Sequence, residues 1–459
     1  MADDDRIEPA RSRERIRGRL VIALLVVAVV AASGPLLARV GVAGGPPAPA
    51  AASELRTGAW FCPQGGGRGW RAWVVASNPG PRPVDVRVTG MGPSGSTAPV
   101  VFTLGPSRQR YVEVAARTPA AATEVEFFGG FAAAAAVVER PGGTTAAERC
   151  VAAARAPWYL PDLSTVKGND AVLILANPFA VPADANVTFR SERETVSPGA
   201  LSPIVLPPGS VTAIPVGHYL LAGPGEQTVA AVVVAKEGRV VAGSVVATRT
   251  GFREEGGVSR PSRIWLVPAG GSGGGAGVAL MNVGRAAAIV SIVIEGGRAA
   301  TASGVPTRVP AGSVRTLPVV GLTDAAAVVR STNRMPLAVS LVTVGPGGGV
   351  ASLTGADHAA LRWVLPPLVP PTGGAEDLVL QNPGPRDATV SFAAFGARGP
   401  VPAPSSITVP SERTVVVRLA GTLGGPFTVV ATSSVPVVAG EAVVGRAGYA
   451  LALGFAIPR

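Results

Sequence analysis

Two glycine-rich segments carry the letters of motifs that bind cofactors or activate a nucleophile. Gly90 to Gly95 reads GMGPSG, the spacing of the dinucleotide fingerprint, whose glycines bring a pyrophosphate to a helix N-terminus. Here Pro99 and the strand-like Val100-Val101-Phe102 follow, so the segment is interpreted as a hairpin turn. Gly270 to Gly274 has the spacing of a nucleophile elbow, but its serine lies in a loop of Gly, Ser and Ala without triad partners.

Histidines and carboxylates are the other residues that could do chemistry. The two histidines, His218 and His358, have no Cys, His or carboxylate cluster at metal-ligand spacing around them. Asp162 and Asp170, with Asn169 between them, could supply oxygen ligands to a calcium ion. A solvated loop is the preferred interpretation. The sequence therefore predicts no catalytic residues, no cofactor, no metal and no enzymatic activity.

A tetrapeptide that begins with tryptophan marks a repeat. It recurs as Trp60-Phe61-Cys62-Pro63, Trp158-Tyr159-Leu160-Pro161, Trp265-Leu266-Val267-Pro268 and Trp363-Val364-Leu365-Pro366. Steps of 98, 107 and 98 residues match the size of a small domain. We define repeat 1 as 56–156, repeat 2 as 157–261, repeat 3 as 262–361 and repeat 4 as 362–459. Residues fixed in every repeat usually fill a core, so these tryptophans are predicted core residues.

A second landmark follows each tryptophan at a nearly constant distance. It consists of Asn78, Asn177, Asn282 and Asn382, three of them followed by proline, and it predicts a conserved turn. Trp70, by contrast, belongs to repeat 1 alone and lies beside the loop Gly65 to Gly69 with Arg68 and Arg71. An exposed indole there could stack on a sugar, so Trp70 is the candidate ligand contact.

Between these landmarks the sequence alternates like β-strands. Val84, Val86 and Val88 alternate with polar residues, as half-buried strands do. About seven short strands in 100 residues predict an all-β protein of four tandem immunoglobulin-like antiparallel β-sandwiches. A four-bladed propeller is the alternative, although each repeat is about twice as long as a blade. Thr145 and Glu148 stand at capping-box spacing, which leaves open a short helix joining repeats 1 and 2.

The N-terminal part predicts an anchor. Residues 1–19 carry six arginines and form a predicted basic cytoplasmic tail, and 20–38 are a run of 19 residues without a charge. This run is just long enough to cross a bilayer, and the arginines place the repeats outside the cell. Residues 39–55 form a Pro/Ala/Gly linker. A cleaved signal peptide, with secretion of the repeats, is the alternative.

Cysteine usage and charge point to the same compartment. Cys62 and Cys150 are the only cysteines, and in an oxidising exterior such a pair predicts one disulfide within repeat 1. The formal net charge is +11, and all but two of the 40 basic residues are arginine. They are scattered rather than interleaved with aromatics, so no nucleic-acid partner is expected. A basic exterior would attract anionic cell-wall polymers.

The arginine-led anchor, the Pro/Ala spacer, the Trp-Phe-Cys-Pro opening and the Asn-Pro-Gly turns together resemble an uncharacterised family of membrane-anchored or secreted envelope proteins from high-GC Gram-positive bacteria. The resemblance implies an envelope location and no established activity. We therefore expect a non-enzymatic, single-pass membrane protein whose extracytoplasmic repeats act as a scaffold or binding arm for envelope proteins or wall polymers. The alternative is a carbohydrate-binding or accessory subunit of an envelope glycan assembly enzyme.

Overall fold

The computed structural model describes residues 57–457, except 153, 155–156, 193, 221–228, 271–274, 297–299, 303, 346–347, 420–424 and 445–448. The predicted tail at 1–19, the apolar run at 20–38 and the linker at 39–55 lie outside the described residues. Within the described part, no helix is long and apolar enough to cross a membrane. Ser53–Arg459 is one compact unit.

The described chain is all-β, with 36 strands and two single-turn 3₁₀ helices, Gly199–Leu201 and Val216–His218. Repeat 1 contains β1 Thr57–Gly65, β2 Arg71–Asn78, β3 Val84–Gly92, β4 Gly95–Ser96, β5 Val100–Leu104, β6 Arg108–Val114, β7 Ala120–Phe128, β8 Ala133–Glu139 and β9 Thr145–Arg149. Repeat 2 contains β10 Trp158–Leu160, β11 Asp170–Asn177, β12 Ala183–Ser191, β13 Thr195–Val196, β14 Ile204–Leu206, β15 Ser210–Pro215, β16 Val229–Glu237, β17 Val241–Ala247 and β18 Phe252–Gly256. Repeat 3 contains β19 Ile264–Ala269, β20 Ala276–Asn282, β21 Ala288–Glu295, β22 Ala300–Ala302, β23 Thr307–Val309, β24 Val314–Val319, β25 Ala325–Ser331, β26 Leu337–Val344 and β27 Val350–Thr354. Repeat 4 contains β28 Ala360–Leu365, β29 Glu376–Asn382, β30 Ala388–Gly396, β31 Gly399–Val401, β32 Ile407–Val409, β33 Arg413–Arg418, β34 Thr428–Val444, β35 Tyr449–Leu453 and β36 Phe455–Ala456.

Each repeat has two sheets with the same strand order. In repeat 1 the first sheet is β1-β7-β3, with β4 and β5 pairing β3, and the second sheet is β6-β2-β8-β9. One parallel residue pair, Gly92 with Ser210, joins β3 to β15, so the first sheet of repeat 1 continues into the second sheet of repeat 2. Repeats 2 and 3 follow the same order with their corresponding strands. In repeat 4 the 17-residue β34 serves both sheets, because one part pairs β28 and β30 and the other part pairs β29 and β35.

Alternation explains why the first-sheet strands form. In β3 the side chains of Val84, Val86 and Val88 are buried, whereas Asp85 and Arg87 are exposed. Such a strand places its apolar face on a neighbouring sheet and its polar face in water.

The strand order differs from that of an immunoglobulin domain. In an immunoglobulin sandwich the first two strands are neighbours in one sheet. Here β1 pairs β7, while β2 lies in the other sheet between β6 and β8. Sequence alternation shows which side chains are buried, but it does not choose the neighbouring strand. The helix left open near Thr145 and Glu148 is instead strand β9, whose backbone pairs with β8.

The four repeats close a ring. The last strand of each second sheet lies against its counterparts in the neighbouring repeats: β9 against β18, β18 against β27, β27 against β35, and β35 against β9. Around these central strands, the first sheet of one repeat contacts the second sheet of the next, as β1 contacts β17 and β25 contacts β33. The ring therefore alternates first and second sheets.

Repeats 1 and 4 are joined by buried polar contacts. The Thr428 hydroxyl donates to Gln109 Oε1 at 2.7 Å and lies 2.7 Å from the Ser77 hydroxyl. The Tyr111 hydroxyl donates to the Val369 carbonyl at 2.8 Å. These bonds connect residues more than 250 positions apart and fix the closure of the ring.

Candidate functional site: the central cavity

The four repeated tryptophans hold equivalent positions. Each indole Nε1 donates to an equivalent backbone carbonyl, which lies at the start of β8, β17 or β26 in repeats 1 to 3 and within the long β34 in repeat 4. The pairs are Trp60 to Ala132 at 2.6 Å, Trp158 to Val240 at 2.8 Å, Trp265 to Leu337 at 2.9 Å and Trp363 to Val437 at 2.8 Å. None of the four side chains is more than 9% exposed. They are therefore packed in the repeats rather than offered as stacking surfaces.

The four asparagines also share one geometry. Each Nδ2 donates to the carbonyl four residues later and to the carbonyl of Leu104, Leu206, Val309 or Val409. Each Oδ1 accepts from the backbone amide two residues later. Each asparagine thus links the turn that follows it to the end of a different first-sheet strand, namely β5, β14, β23 or β32.

Trp70 is part of the contact between repeats 1 and 2. Its ring centroid lies 4.7 Å from that of Phe252 in β18, and its side chain is half-buried. The indole therefore packs against another repeat instead of standing free in solvent. In the glycine-rich segment 90–95, Met91 pairs Ser96 and Gly92 pairs Gly95 in the hairpin of β3 and β4, as expected for a turn. Residues 271–274 of the segment with nucleophile-elbow spacing lie outside the described residues.

Cys62 and Cys150 form a disulfide in repeat 1. Phe61 bridges Val151 in the backbone, and the corresponding bridges in the other repeats are Tyr159 to Val258, Leu266 to Ala356 and Val364 to Phe455. By this register, Cys150 is equivalent to Gly257, Gly355 and Gly454, and Cys62 to Leu160, Val267 and Leu365.

The glycines at the Cys150 position have no room for a side chain. A Cβ added to Gly355 would lie 2.8 Å from Val267 Cγ2, and one added to Gly454 would lie 2.9 Å from Leu365 Cγ. In those two repeats an aliphatic side chain packs over a glycine. Repeat 1 fills the same space with two sulfur atoms.

A cavity of about 390 Å³ lies where the four repeats meet. Every repeat contributes its tryptophan and the segment that follows its last central strand, namely 149–152, 257–260, 354–358 and 455–456. The walls thus come from equivalent positions, and no single repeat could form the cavity alone.

The polar groups of the cavity are not equivalent. Repeat 1 supplies Arg149, whose Nη1 donates to the Gly454 carbonyl at 3.3 Å, and repeat 2 supplies the exposed Arg260. Repeat 3 supplies Asp357 and His358, with Nδ1 of the imidazole 2.6 Å from the carboxylate Oδ1. Repeat 4 supplies the apolar Phe455 and Ala456. Burial lowers the pKa of the Arg149 guanidinium, an effect that the carboxylates of Glu148 and Asp357 oppose.

Buried carboxyl groups flank these central strands. Glu254 Oε1 accepts from the Gly65 amide at 2.6 Å, and burial raises its pKa to about 8. Glu255 accepts from the Thr354 hydroxyl at 2.8 Å, and burial raises its pKa to about 7. Burial, with Glu255 and Glu254 nearby, also raises the pKa of Glu148 well above its usual range. These groups belong to the joints between repeats.

Of the two suggested calcium ligands, Asp162 is already paired, and its side chain is buried rather than solvated. The Asp162 carboxylate accepts from the Arg253 guanidinium, and both side chains are buried, whereas Asp170 is exposed. In the part of the chain that the structure describes, no group of three or more His, Cys, Asp or Glu residues could hold a metal ion.

Sequence reasoning missed Arg149, Arg260 and Asp357. They stand just before or after the shared position held by Cys150 and the three glycines. Aligning the ends of the repeats on that position would have brought these three residues together.

Residues 261–457 match the model of DUF5719, a family of unknown function. The match spans repeats 3 and 4 and agrees with the expected resemblance to an uncharacterised family. No curated protein matches the chain.

Two solved structures show only distant similarity. One is described as the crystal structure of Thermotoga maritima 1070, with 24% identity over 22% of this chain and 97% of that chain, and a TM-score of 0.19. The other is a tetra-tandem repeat in the extending region of a large adhesion protein, with 12% identity over 82% of this chain and 92% of that chain, and a TM-score of 0.11.

Proposed function

We propose that this protein is a non-enzymatic binding protein of the cell envelope, in which four β-sandwich repeats form one rigid head outside the membrane. The apolar run at 20–38 anchors the head, and 39–55 separate it from the bilayer. The disulfide of Cys62 and Cys150 supports an oxidising exterior, since such bonds persist there. Its partners are envelope proteins or anionic wall polymers.

The observation that carries this proposal is the shared cavity. Its volume of about 390 Å³ falls in the range of small-molecule sites, and all four repeats are needed to form it. A ring that builds one site from four repeats acts as a binding head rather than as an extended spacer. The cavity is also consistent with the carbohydrate-binding alternative, because its lining combines charged, hydrogen-bonding and apolar groups.

A hydrolase is the competing function, because Ser259, His358 and Asp357 line the same cavity. His358 contacts Asp357 as the base of a catalytic triad would. Among the described contacts, however, Ser259 and His358 share no hydrogen bond, so the serine lacks an activating base. We therefore expect a fluorophosphonate probe to leave the protein unlabelled. Labelling that disappears in Ser259→Ala would replace the binding proposal with a hydrolase.

The location can be tested with engineered cysteines, because both native cysteines are bonded to each other. Val320 is 81% exposed in repeat 3, so Val320→Cys should react with a membrane-impermeant maleimide on intact cells. Ala10→Cys, in the predicted cytoplasmic tail, is the matched control and should react only after lysis. Labelling of Ala10→Cys alone on intact cells would reverse the topology.

A further inference from the structure

We infer that the central cavity binds one acidic sugar unit, a uronate or a sugar phosphate. This inference rests on the proposed binding function and adds the chemical class of the ligand. It starts from a mismatch: the walls of the cavity are repeated four times, whereas its charged groups occur once each. Such a site favours a ligand with distinct ends over one with fourfold symmetry.

The anionic end of the ligand is specified by two guanidinium groups. Arg149 and Arg260 come from repeats 1 and 2, while a single carboxylate, Asp357, lines the cavity. Among the described contacts, the Arg149 guanidinium donates one hydrogen bond, from Nη1 to the Gly454 carbonyl, although it carries five N–H donors. It is also largely removed from water, so an anion beside it is screened less than at the surface. A cationic ligand would meet two like charges.

The hydroxyl-bearing end is specified by Asp357 and His358 in repeat 3. A carboxylate accepts hydrogen bonds from two adjacent hydroxyl groups, and the imidazole held against it adds a further polar atom. The same carboxylate disfavours a second negative charge in the ligand. A polyphosphate therefore fits less well than a sugar with a single acidic group.

The lining from repeat 4 is apolar. Phe455 and Trp60 pack edge to face, with 4.6 Å between their ring centroids, and neither side chain is more than 9% exposed. They close this side of the cavity but offer little surface on which a sugar ring could stack. The indole Nε1 groups already donate to backbone carbonyls, so the polar contacts to the ligand come from the charged groups of repeats 1 to 3.

The test is a titration of the full chain with glucuronate, glucose 1-phosphate, neutral glucose and inorganic phosphate, followed by calorimetry and by tryptophan fluorescence. We expect saturable binding of glucuronate or glucose 1-phosphate, with glucose at least about tenfold weaker because it lacks the charge-assisted bonds. Arg260→Ala should weaken the acidic sugar by about tenfold or more. Arg308→Ala, at an exposed arginine on β23, is the matched control and should change nothing.

The outcomes separate the two proposals. If glucose binds as tightly as glucuronate, or if Arg260→Ala binds normally, the acidic-sugar inference fails while the binding head remains. If inorganic phosphate binds as tightly as glucose 1-phosphate, the cavity is an anion site and the inference also fails. Absence of saturation by both acidic sugars at millimolar concentration overturns it too. Asp357→Asn should weaken glucuronate but strengthen inorganic phosphate, a pair of effects that loss of folding would not produce.

Discussion

Repeat 1 and repeats 3 and 4 solve one packing problem in two ways. At the same register, repeat 1 has the disulfide of Cys62 and Cys150, whereas repeats 3 and 4 have Val267 over Gly355 and Leu365 over Gly454. The tryptophan hydrogen bond and the asparagine bridge are the same in all four repeats. These two features fix the backbone of each repeat. The residues at the positions of Cys62 and Cys150 can therefore differ between repeats.

Breaking the disulfide should have the largest effect. The bond closes a loop with a sequence separation of 88, for which chain entropy gives about 4 to 5 kcal/mol as an upper value. Cys150→Ala should lower the free energy of unfolding by up to this amount in chemical denaturation. The double variant Cys62→Leu, Cys150→Gly copies repeat 4 and should regain part of the loss. A Cys150→Ala protein as stable as the wild type would mean that the tryptophan hydrogen bond and the asparagine bridge stabilise repeat 1 without the disulfide.

A change of pH should have the next largest effect on stability, because it titrates Glu254. The position of this residue holds a different amino acid in every repeat. Register makes Glu254 equivalent to Ala147, Ser352 and Leu451. Because burial raises its folded pKa to about 8, the folded state binds a proton that the unfolded state has released. The stabilisation that comes from this bound proton is complete below the usual pKa of a glutamate. It is lost as the pH rises toward 8.

Glu254→Gln should therefore lose less stability than the wild type between pH 5 and pH 9, by on the order of 3 kcal/mol. Thermal unfolding across that range measures the difference. Glu113→Gln, at an exposed strand position, is the control. Parallel pH profiles for wild type and Glu254→Gln would show that Glu254 is not the titrating group at this joint.

The asparagine bridge gives a smaller effect with an internal comparison. Asn382 Nδ2 lies within 3.2 Å of three carbonyl oxygens, those of Arg386, Val409 and Pro410. Among the described contacts, Asn177 Nδ2 donates to two carbonyl oxygens. Asn382→Ala removes one buried and two partly buried hydrogen bonds and should cost roughly 2 kcal/mol. Asn177→Ala should cost less in the same denaturation experiment. Normal stability of Asn382→Ala with loss of ligand binding would indicate a recognition loop.

The smallest effect concerns Gly355, the residue that repeat 3 has at the position of Cys150. Gly355→Ala places a Cβ within 2.9 Å of the Leu266 carbonyl and 2.8 Å of Val267, so it should destabilise the protein by about 1 to 2 kcal/mol. Gly275→Ala, whose Cβ would have nothing within 4 Å, is the control. Equal melting temperatures for the two variants would show that this packing is not tight.

Sequence reasoning predicted local features well because they depend on neighbouring residues. The strand alternation from Val84 to Val88 and the four equivalent asparagines can be recognised directly in the sequence. Ring closure was not, since it depends on contacts such as Ser77 with Thr428, between residues 351 positions apart. The central strand β9 also has alanines and a capping-box spacing that favour helix, and tertiary burial overrides that preference. The cavity escaped notice because its charged residues occur in single repeats.

Under the proposed N-terminal anchor, the disulfide would have a mechanical consequence. Tension on the tether would enter at Thr57 and peel β1 from β7 one residue pair at a time, the weakest direction for a strand at a sheet edge. Peeling would pass Phe61 and stop at Cys62, which is covalently held to Cys150 beside the central strands. Beyond that residue the load would bypass β1 and fall on the centre of the ring, where four strands share it.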